Sequence, residues 1–233
     1  MRFPDPLIPG RLARRYKRFL ADVELASGEM VVAHCANPGS MLGLADPGSA
    51  VWLSPSRNPA RKLKYSWELI AVNGYLVGIN TALPNGLAEE AIQAEKIAEL
   101  TGYATLRREV RYGRNSRIDI LLEAEDRPPC YVEVKNVHLK RGAEAAEFPD
   151  SVTARGAKHL VELTEAAAAG ARSVMLFLVQ RGDCSRLEIA ADIDPEYERT
   201  LRLAMARGVE ALCYSCRVGR QAIEVDRRLP LTM

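Results

Sequence analysis

No apolar run in this chain approaches the roughly 20 residues needed to span a bilayer, and Met1-Arg2-Phe3-Pro4-Asp5 lacks the apolar core of a secretory signal. A cytoplasmic chain without membrane contact is therefore expected. Cysteine supplies no framework either. The five (Cys35, Cys130, Cys184, Cys213 and Cys216) are odd in number and scattered, which argues for reduced thiols rather than a disulfide set. Cys213 and Cys216 have CxxC spacing, but structural zinc wants four ligands and no second pair is present. Cys213 also falls in an apolar run, where a thiol behaves as a small hydrophobe. A dominant charge is missing too: 32 basic and 30 acidic residues leave a net charge of +2, so bulk electrostatics alone does not point to a polyanion.

What is present is local. Arg11, Arg14, Arg15, Lys17 and Arg18 crowd together. Arg57, Arg61, Lys62 and Lys64 form a second basic cluster, and Arg107, Arg108, Arg111, Arg114 and Arg117 a third. A solvated charged face is the ordinary explanation of any one cluster. Three of them, two with aromatics close by (Tyr16 and Phe19; Tyr65 and Trp67), point to phosphate contacts and hence to nucleic acid.

Hydrophobic periodicity divides the chain. Runs at 19–25, 30–36, 50–54, 67–72 and 75–80 are short and rich in Val, Leu, Ile and aromatics, with turn signals such as Asn37-Pro38-Gly39 and Asn73-Gly74 between them. Five short strands suit a small OB-like β-barrel, although the count alone does not separate it from other five-stranded topologies. From residue 81 the pattern changes. A helix is expected over 87–100, strands over 105–111, 117–123 and 130–137, and a helix over 151–169 with Asp150 or Ser151 as its cap. A continuous apolar strand over 173–180, a helix over 195–207 and a last strand over 209–214 follow. The expectation is an α/β two-domain chain. Residues 1–80 form the barrel and 81–233 an α-β-β-β-α-β core.

The core carries the chemistry. Asp119 sits inside the apolar run Ile118-Asp119-Ile120-Leu121, where a charge is costly unless it is paired or metal-bound. Thirteen residues on, Val132-Glu133-Val134-Lys135 puts Glu133 and Lys135 on one face of a strand by simple alternation. An isolated Glu-x-Lys triplet is most often a surface ion pair. With Asp119 on a neighbouring strand and a helix before both, the pattern is that of a PD-(D/E)xK nuclease site. Asp119, Glu133 and Lys135 are the candidate catalytic residues. Asp119, Glu133, the Val134 carbonyl and a carboxylate of the first helix, Glu90 or Glu95, are the candidate ligands of Mg2+ or Mn2+, which prefer oxygen donors and keep several waters. Such an ion makes its bound water a better nucleophile, while Lys135 orients that water or stabilises transition-state charge. Candidate DNA contacts are Arg15, Arg61, Lys62, Lys64 and Arg117, with Thr153, Arg155, Lys158 and His159 at the start of the next helix, whose N-terminus suits phosphate. His159 is a candidate proton shuttle, though a lone helical histidine is more often structural. His34 and His138 have no partner visible in the sequence.

Longer segments resemble one family. They are His34-Cys35-Ala36-Asn37-Pro38-Gly39-Ser40-Met41, Asn58-Pro59-Ala60-Arg61-Lys62-Leu63, Asn80-Thr81 with Pro84-Asn85, Ser116-Arg117-Ile118-Asp119, Tyr131-Val132-Glu133-Val134-Lys135-Asn136-Val137, and Phe148-Pro149-Asp150 through Arg155-Gly156 to Lys158-His159. Together they resemble the bacterial and archaeal sugar fermentation stimulation protein A family over nearly the whole length. The resemblance implies an OB-fold domain followed by a PD-(D/E)xK nuclease-like domain, and DNA binding with little sequence preference. By name it also implies a link to regulation of sugar utilisation. The functional expectations are a Mg2+-dependent DNA nuclease, or a non-cleaving DNA-binding regulator on the same scaffold. An RNA-processing protein is the weaker third. DNA is the expected partner, with a second copy of the chain, as a homodimer, the other one weighed.

Overall fold

The computed structural model describes residues 1–113 and 116–233; Arg114 of the third basic cluster lies outside them. The first half is built from β1 (Ile8–Tyr16), β2 (Leu20–Leu25), β3 (Met30–His34), β4 (Ala50–Pro55), β5 (Tyr65–Val72) and β6 (Tyr75–Gly78). The strands run in the order β3-β2-β1-β4-β5-β6, and a second pairing of β3 with β5, Ala33 to Tyr65 and His34 to Ser66, closes the first five into a barrel. Its interior is apolar: Leu12, Val23, Leu53, Trp67 and Ile79 are each almost wholly buried. Asn73 and Gly74 both have positive φ, the geometry of the two-residue hairpin that joins β5 to β6.

A five-stranded barrel is therefore present, but with a different membership from the expected one. Strand β1 occupies the stretch expected only as a basic cluster, and β6 is an appendage on β5. The reason is local. Along β1 only Leu12 is fully buried, so the apolar alternation that announces a strand is absent.

The second half follows as α1 (Pro84–Gln93), β7 (Thr105–Tyr112), β8 (Ser116–Ala124), β9 (Arg127–Val137), β10 (Ala145–Phe148), α2 (Ala154–Ala168), β11 (Arg172–Val179), β12 (Arg186–Ile189), α3 (Pro195–Ala206), β13 (Val209–Val218), β14 (Ile223–Arg228) and β15 (Leu231–Thr232). Six strands form one mixed sheet in the order β14-β13-β11-β9-β8-β7. Strands β7, β8 and β9 are an antiparallel meander, and α2 and α3 are the crossovers that make β9, β11 and β13 parallel. Strand β11 is buried on both faces. Val174, Leu176 and Leu178 belong to the layer under α1, and Met175, Phe177 and Val179 to the layer under α2 and α3, as a central parallel strand requires.

Several boundaries depart from expectation, among them the start of β9 at Arg127 rather than at residue 130. The first helix starts at Pro84 and ends at Gln93, because Pro84 supplies the fixed φ of a first turn. The cap of α2 is Thr153, whose Oγ1 accepts from Gly156 N at 3.0 Å. Strand β13 runs on to Val218 and is followed by two further strands. Cys213 and Cys216 fall in opposite layers of the sheet, so their spacing cannot serve one metal. All five thiols are free and buried. No helix of the described residues is long and apolar enough to cross a membrane.

Barrel and core are joined at several places. Gly78 N donates to Gln180 O at 2.9 Å just beyond the end of β11. Leu69, Trp52 and Leu76 pack with the α1 layer. The extreme N-terminal residues also lie on the core, where Phe3 N donates to Gln221 O and Arg2 bridges Ala222.

Candidate active site and interdomain cleft

The ladder between β8 and β9 runs from Ala124–Arg127 to Ile120–Val132 and then stops. Asp119 and Glu133 are the next residues along, where the two strands part. Asp119 Oδ2 accepts from Val134 N at 2.8 Å, in place of a ladder bond. Its Oδ1 accepts from Asn85 Nδ2 at 2.8 Å, and the same nitrogen lies 3.4 Å from Glu109 Oε1. Glu109 is a left-handed residue, φ 53°, in β7, a conformation rare for a residue with a side chain and enriched near functional sites.

Glu133 is 2% exposed. Lys135 Nζ donates to its Oε1 at 2.7 Å, and His159 Nδ1 meets the same oxygen from α2. Arg155 Nε donates to His159 Nε2 at 3.3 Å, which fixes the tautomer: with Nε2 accepting, the ring proton is on Nδ1 and points at Glu133. The other oxygen, Glu133 Oε2, is buried and has no hydrogen-bond partner among the described residues. Burial pushes the Asp119 carboxyl above its ordinary pKa, and the neighbouring Glu133 charge adds to that. Glu133 goes the other way. Burial raises it, but the hydrogen bond from His159 and the nearby Lys135 ammonium outweigh burial and hold it below the usual range.

These residues adjoin a cleft of about 530 Å³ between barrel and core. Asn85, Val134 and Lys135 line it, each of them bonded to one of the two carboxylates. Thr153 and Arg155 line it from the start of α2, and Arg18 and the loop 37–39 from the barrel. One end is closed. Ser40 Oγ donates to Asp150 O at 2.7 Å, and Met41 N donates to Asp150 Oδ2 at 3.3 Å. His138 faces the same carboxylate from 3.4 Å, so this histidine, partnerless in the sequence, is part of the junction.

Other expected residues lie elsewhere. Glu90 pairs with the Met1 ammonium at 2.7 Å and is more than half exposed. It stands five residues beyond Asn85, roughly 140° around the helix axis, so the helix that presents Asn85 to Asp119 turns Glu90 away. Glu95 follows the end of α1 in a left-handed conformation. Neither belongs to the site. His159 is buried against Glu133 and offers no surface to DNA. The Arg15 guanidinium donates to Arg18 O, Asn37 O, Gly39 O and Ser40 O, which shapes the cleft loop. Arg61 bonds Ser66 Oγ and Lys64 bonds Pro59 O on the barrel, with exposed Lys62 between them. Arg117 and Lys158 are exposed on β8 and α2. Arg107 and Arg108 pair with Glu123 and Glu89, so much of the third cluster is neutralised. Trp67 is fully buried and its Nε1 donates to Leu69 O, a core role rather than a stacking platform. Asn85 and Glu109 were absent from the sequence-based site. The sequence carried Asn85 only in the Pro84-Asn85 segment of the family resemblance, and nothing pointed to Glu109.

A closed five-stranded barrel of the OB type, joined to an α/β core whose meander and crossover place Asp, Glu and Lys where two strands part, defines a two-domain protein with a restriction-endonuclease-like fold. Two family models match the chain: "SfsA N-terminal OB domain" over residues 13–79 and "Sugar fermentation stimulation protein RE domain" over residues 82–222. A sugar fermentation stimulation protein homolog of Maricaulis maris is 62% identical over 227 residues, 97% of either chain. That of Paramagnetospirillum magneticum is 60% identical over 233 residues, 100% of this chain and 98% of the relative. The structure of Pyrococcus furiosus SfsA in complex with Ca2+ superposes with a TM-score of 0.91 at 27% identity, covering 100% of this chain and 98% of that one. The chain belongs to the sugar fermentation stimulation protein (SfsA) family.

Proposed function

We propose that this protein binds DNA and cuts it with little sequence preference, using a divalent cation held by Asp119, Glu133 and the Val134 carbonyl. The observation that carries the reading is Glu133 Oε2. A buried carboxylate oxygen left without a partner costs free energy unless something binds it, and a cation is what a carboxylate binds. The donors fit a hard ion: two carboxylates from adjacent strands, and a backbone carbonyl on the strand edge that already turns Val134 N–H toward Asp119. No group of three or more His, Cys, Asp or Glu among the described residues could hold an ion alone, so water and substrate oxygens complete the shell, as Mg2+ prefers. The Ca2+ complex of the Pyrococcus furiosus relative supports a divalent ion here. When bound, the ion supplies charge to the phosphate and acidifies a water.

The chain's own residues do the rest. His159 fixes Glu133 through Oε1 and so leaves Oε2 available. Lys135 holds a positive charge beside the cleft where phosphate charge develops. Thr153 and Arg155, at the positive end of α2, bind a neighbouring phosphate, with Lys158 and Arg117 outside the cleft and Arg61, Lys62 and Lys64 on the barrel extending the track. Residues 1–80 and 81–233 divide these roles, binding and chemistry, in a cytoplasmic protein.

One observation favours the non-cleaving alternative: Lys135 and Asn85 already satisfy three of the four carboxylate oxygens together with Val134 N, a closed resting arrangement. The test is incubation with single-stranded, duplex, flap and branched DNA in Mg2+, Mn2+ or EDTA, beside Asp119→Ala and Glu133→Ala. Metal-dependent cuts lost in both variants are expected. Binding without cutting, unchanged by either substitution, would leave a regulator on a nuclease scaffold.

A further inference from the structure

Lys17 and Arg18, at the turn between β1 and β2, are consecutive left-handed residues, φ 48° and 61°. Neither is glycine, so the turn carries strain that a glycine would remove. What it presents is two exposed cations followed by Phe19, an aromatic that is 46% exposed. Arg18 lines the interdomain cleft from the barrel, and Lys135 and Arg155 line it from the core. The cleft is thus walled by cations from both halves of the molecule, and the exposed Phe19 follows Arg18 directly in the chain. Its volume is in the range that encloses a small organic ligand, roughly 300–1,000 Å³, and the Ser40–Asp150 contact ties its walls together at one end. A duplex carries its phosphates on the outside of a wide rod and reaches only the rim. An extended single strand can enter.

We infer that the cleft takes a single-stranded DNA segment, whose phosphates Arg18 grips while a base stacks on Phe19, and that strand separation or a free single-stranded end precedes any chemistry at Glu133. Base stacking on an exposed aromatic beside cations is the general means of holding single strands without reading sequence. The inference rests on the proposed site only for where cutting would fall. Entry of the strand is independent of it.

The experiment measures binding in EDTA, where nothing is cut, by fluorescence anisotropy of a labelled single strand and of the matching blunt duplex. The full chain is compared with the double variant R18G/F19A. Glycine suits the left-handed φ and Phe19 is exposed, so the fold is retained. The single strand should bind about tenfold or more tightly than the duplex, and the double variant should lose about tenfold or more of single-strand affinity with little change for duplex. In parallel, a single strand carrying photoreactive iodouracil should crosslink in the parent protein to a peptide containing Phe19. Equal or tighter duplex binding, an unchanged double variant, or crosslinks only outside the cleft would each overturn the inference, whether or not Asp119 and Glu133 support cutting. Single-strand binding through Phe19 in a protein that never cuts would uphold it and defeat the nuclease instead.

Discussion

At the scale of single residues, the two carboxylates are shifted in opposite directions from their ordinary pKa, and this has consequences. Because Asp119 lies above its ordinary pKa, protons compete for it at a higher pH than for a solvated aspartate. Cation affinity, read by calorimetric titration with Ca2+ or Mg2+, should therefore fall on acidification before ordinary aspartates titrate. At a cation concentration 100 times its Kd, the parent should gain about 2.7 kcal/mol of stability, and Asp119→Ala should gain almost none. Glu133 lies below its ordinary value, so its pairing stabilises the fold above the unfolded-state pKa and is lost as pH falls through the lower folded value. His159→Ala should cost roughly 3 kcal/mol in urea unfolding at neutral pH, the low end for breaking a buried pair because Lys135 remains. The deficit should shrink in acid. Asp119, Glu133 and Lys135 stand out in the sequence because charged residues interrupting apolar strands are conspicuous. Asn85 and Glu109 are invisible there, since their proximity depends on how α1 and β7 pack against β8.

At the scale of elements, β8, β9 and β11 of the core are legible because each carries an apolar run. Strand β1 is not. Its residues face water on one side and its only fully buried side chain is Leu12, so it has the composition of a charged loop. What holds it in place is contact rather than pattern. A Cβ on Gly10 would lie 2.5 Å from Val23 Cγ1 and 2.8 Å from Glu24 O. Gly10→Ala should force β1 away from β2 and cost about 1–3 kcal/mol by chemical denaturation. An unchanged midpoint would show that the barrel does not depend on this close approach.

At the scale of the whole molecule, the relation of barrel to core was beyond reach of the sequence. Ser40 and Asp150 are 110 positions apart, and neither residue type advertises a partner. The junction tolerates little: a Cβ on Gly39 would collide with the Asp150 carboxylate. Gly39→Ala should separate the two halves, lower the melting temperature and expose the connection near Thr81 to limited proteolysis. Cuts at the parental rate would mean that the cleft walls are held by other contacts. The strip of chain before β1 extends this logic into time. Its hydrogen bonds reach residues 222 positions later. A ribosome adding roughly 5–20 residues per second would need on the order of 10–45 s to deliver the partner. The barrel can close early in synthesis while Phe3 and Leu7, which finally pack on the core, wait uncovered. Residues synthesised well before their partners are then among the last to be buried, and a nascent chain stalled before β14 would present that apolar strip to whatever chaperone surrounds it.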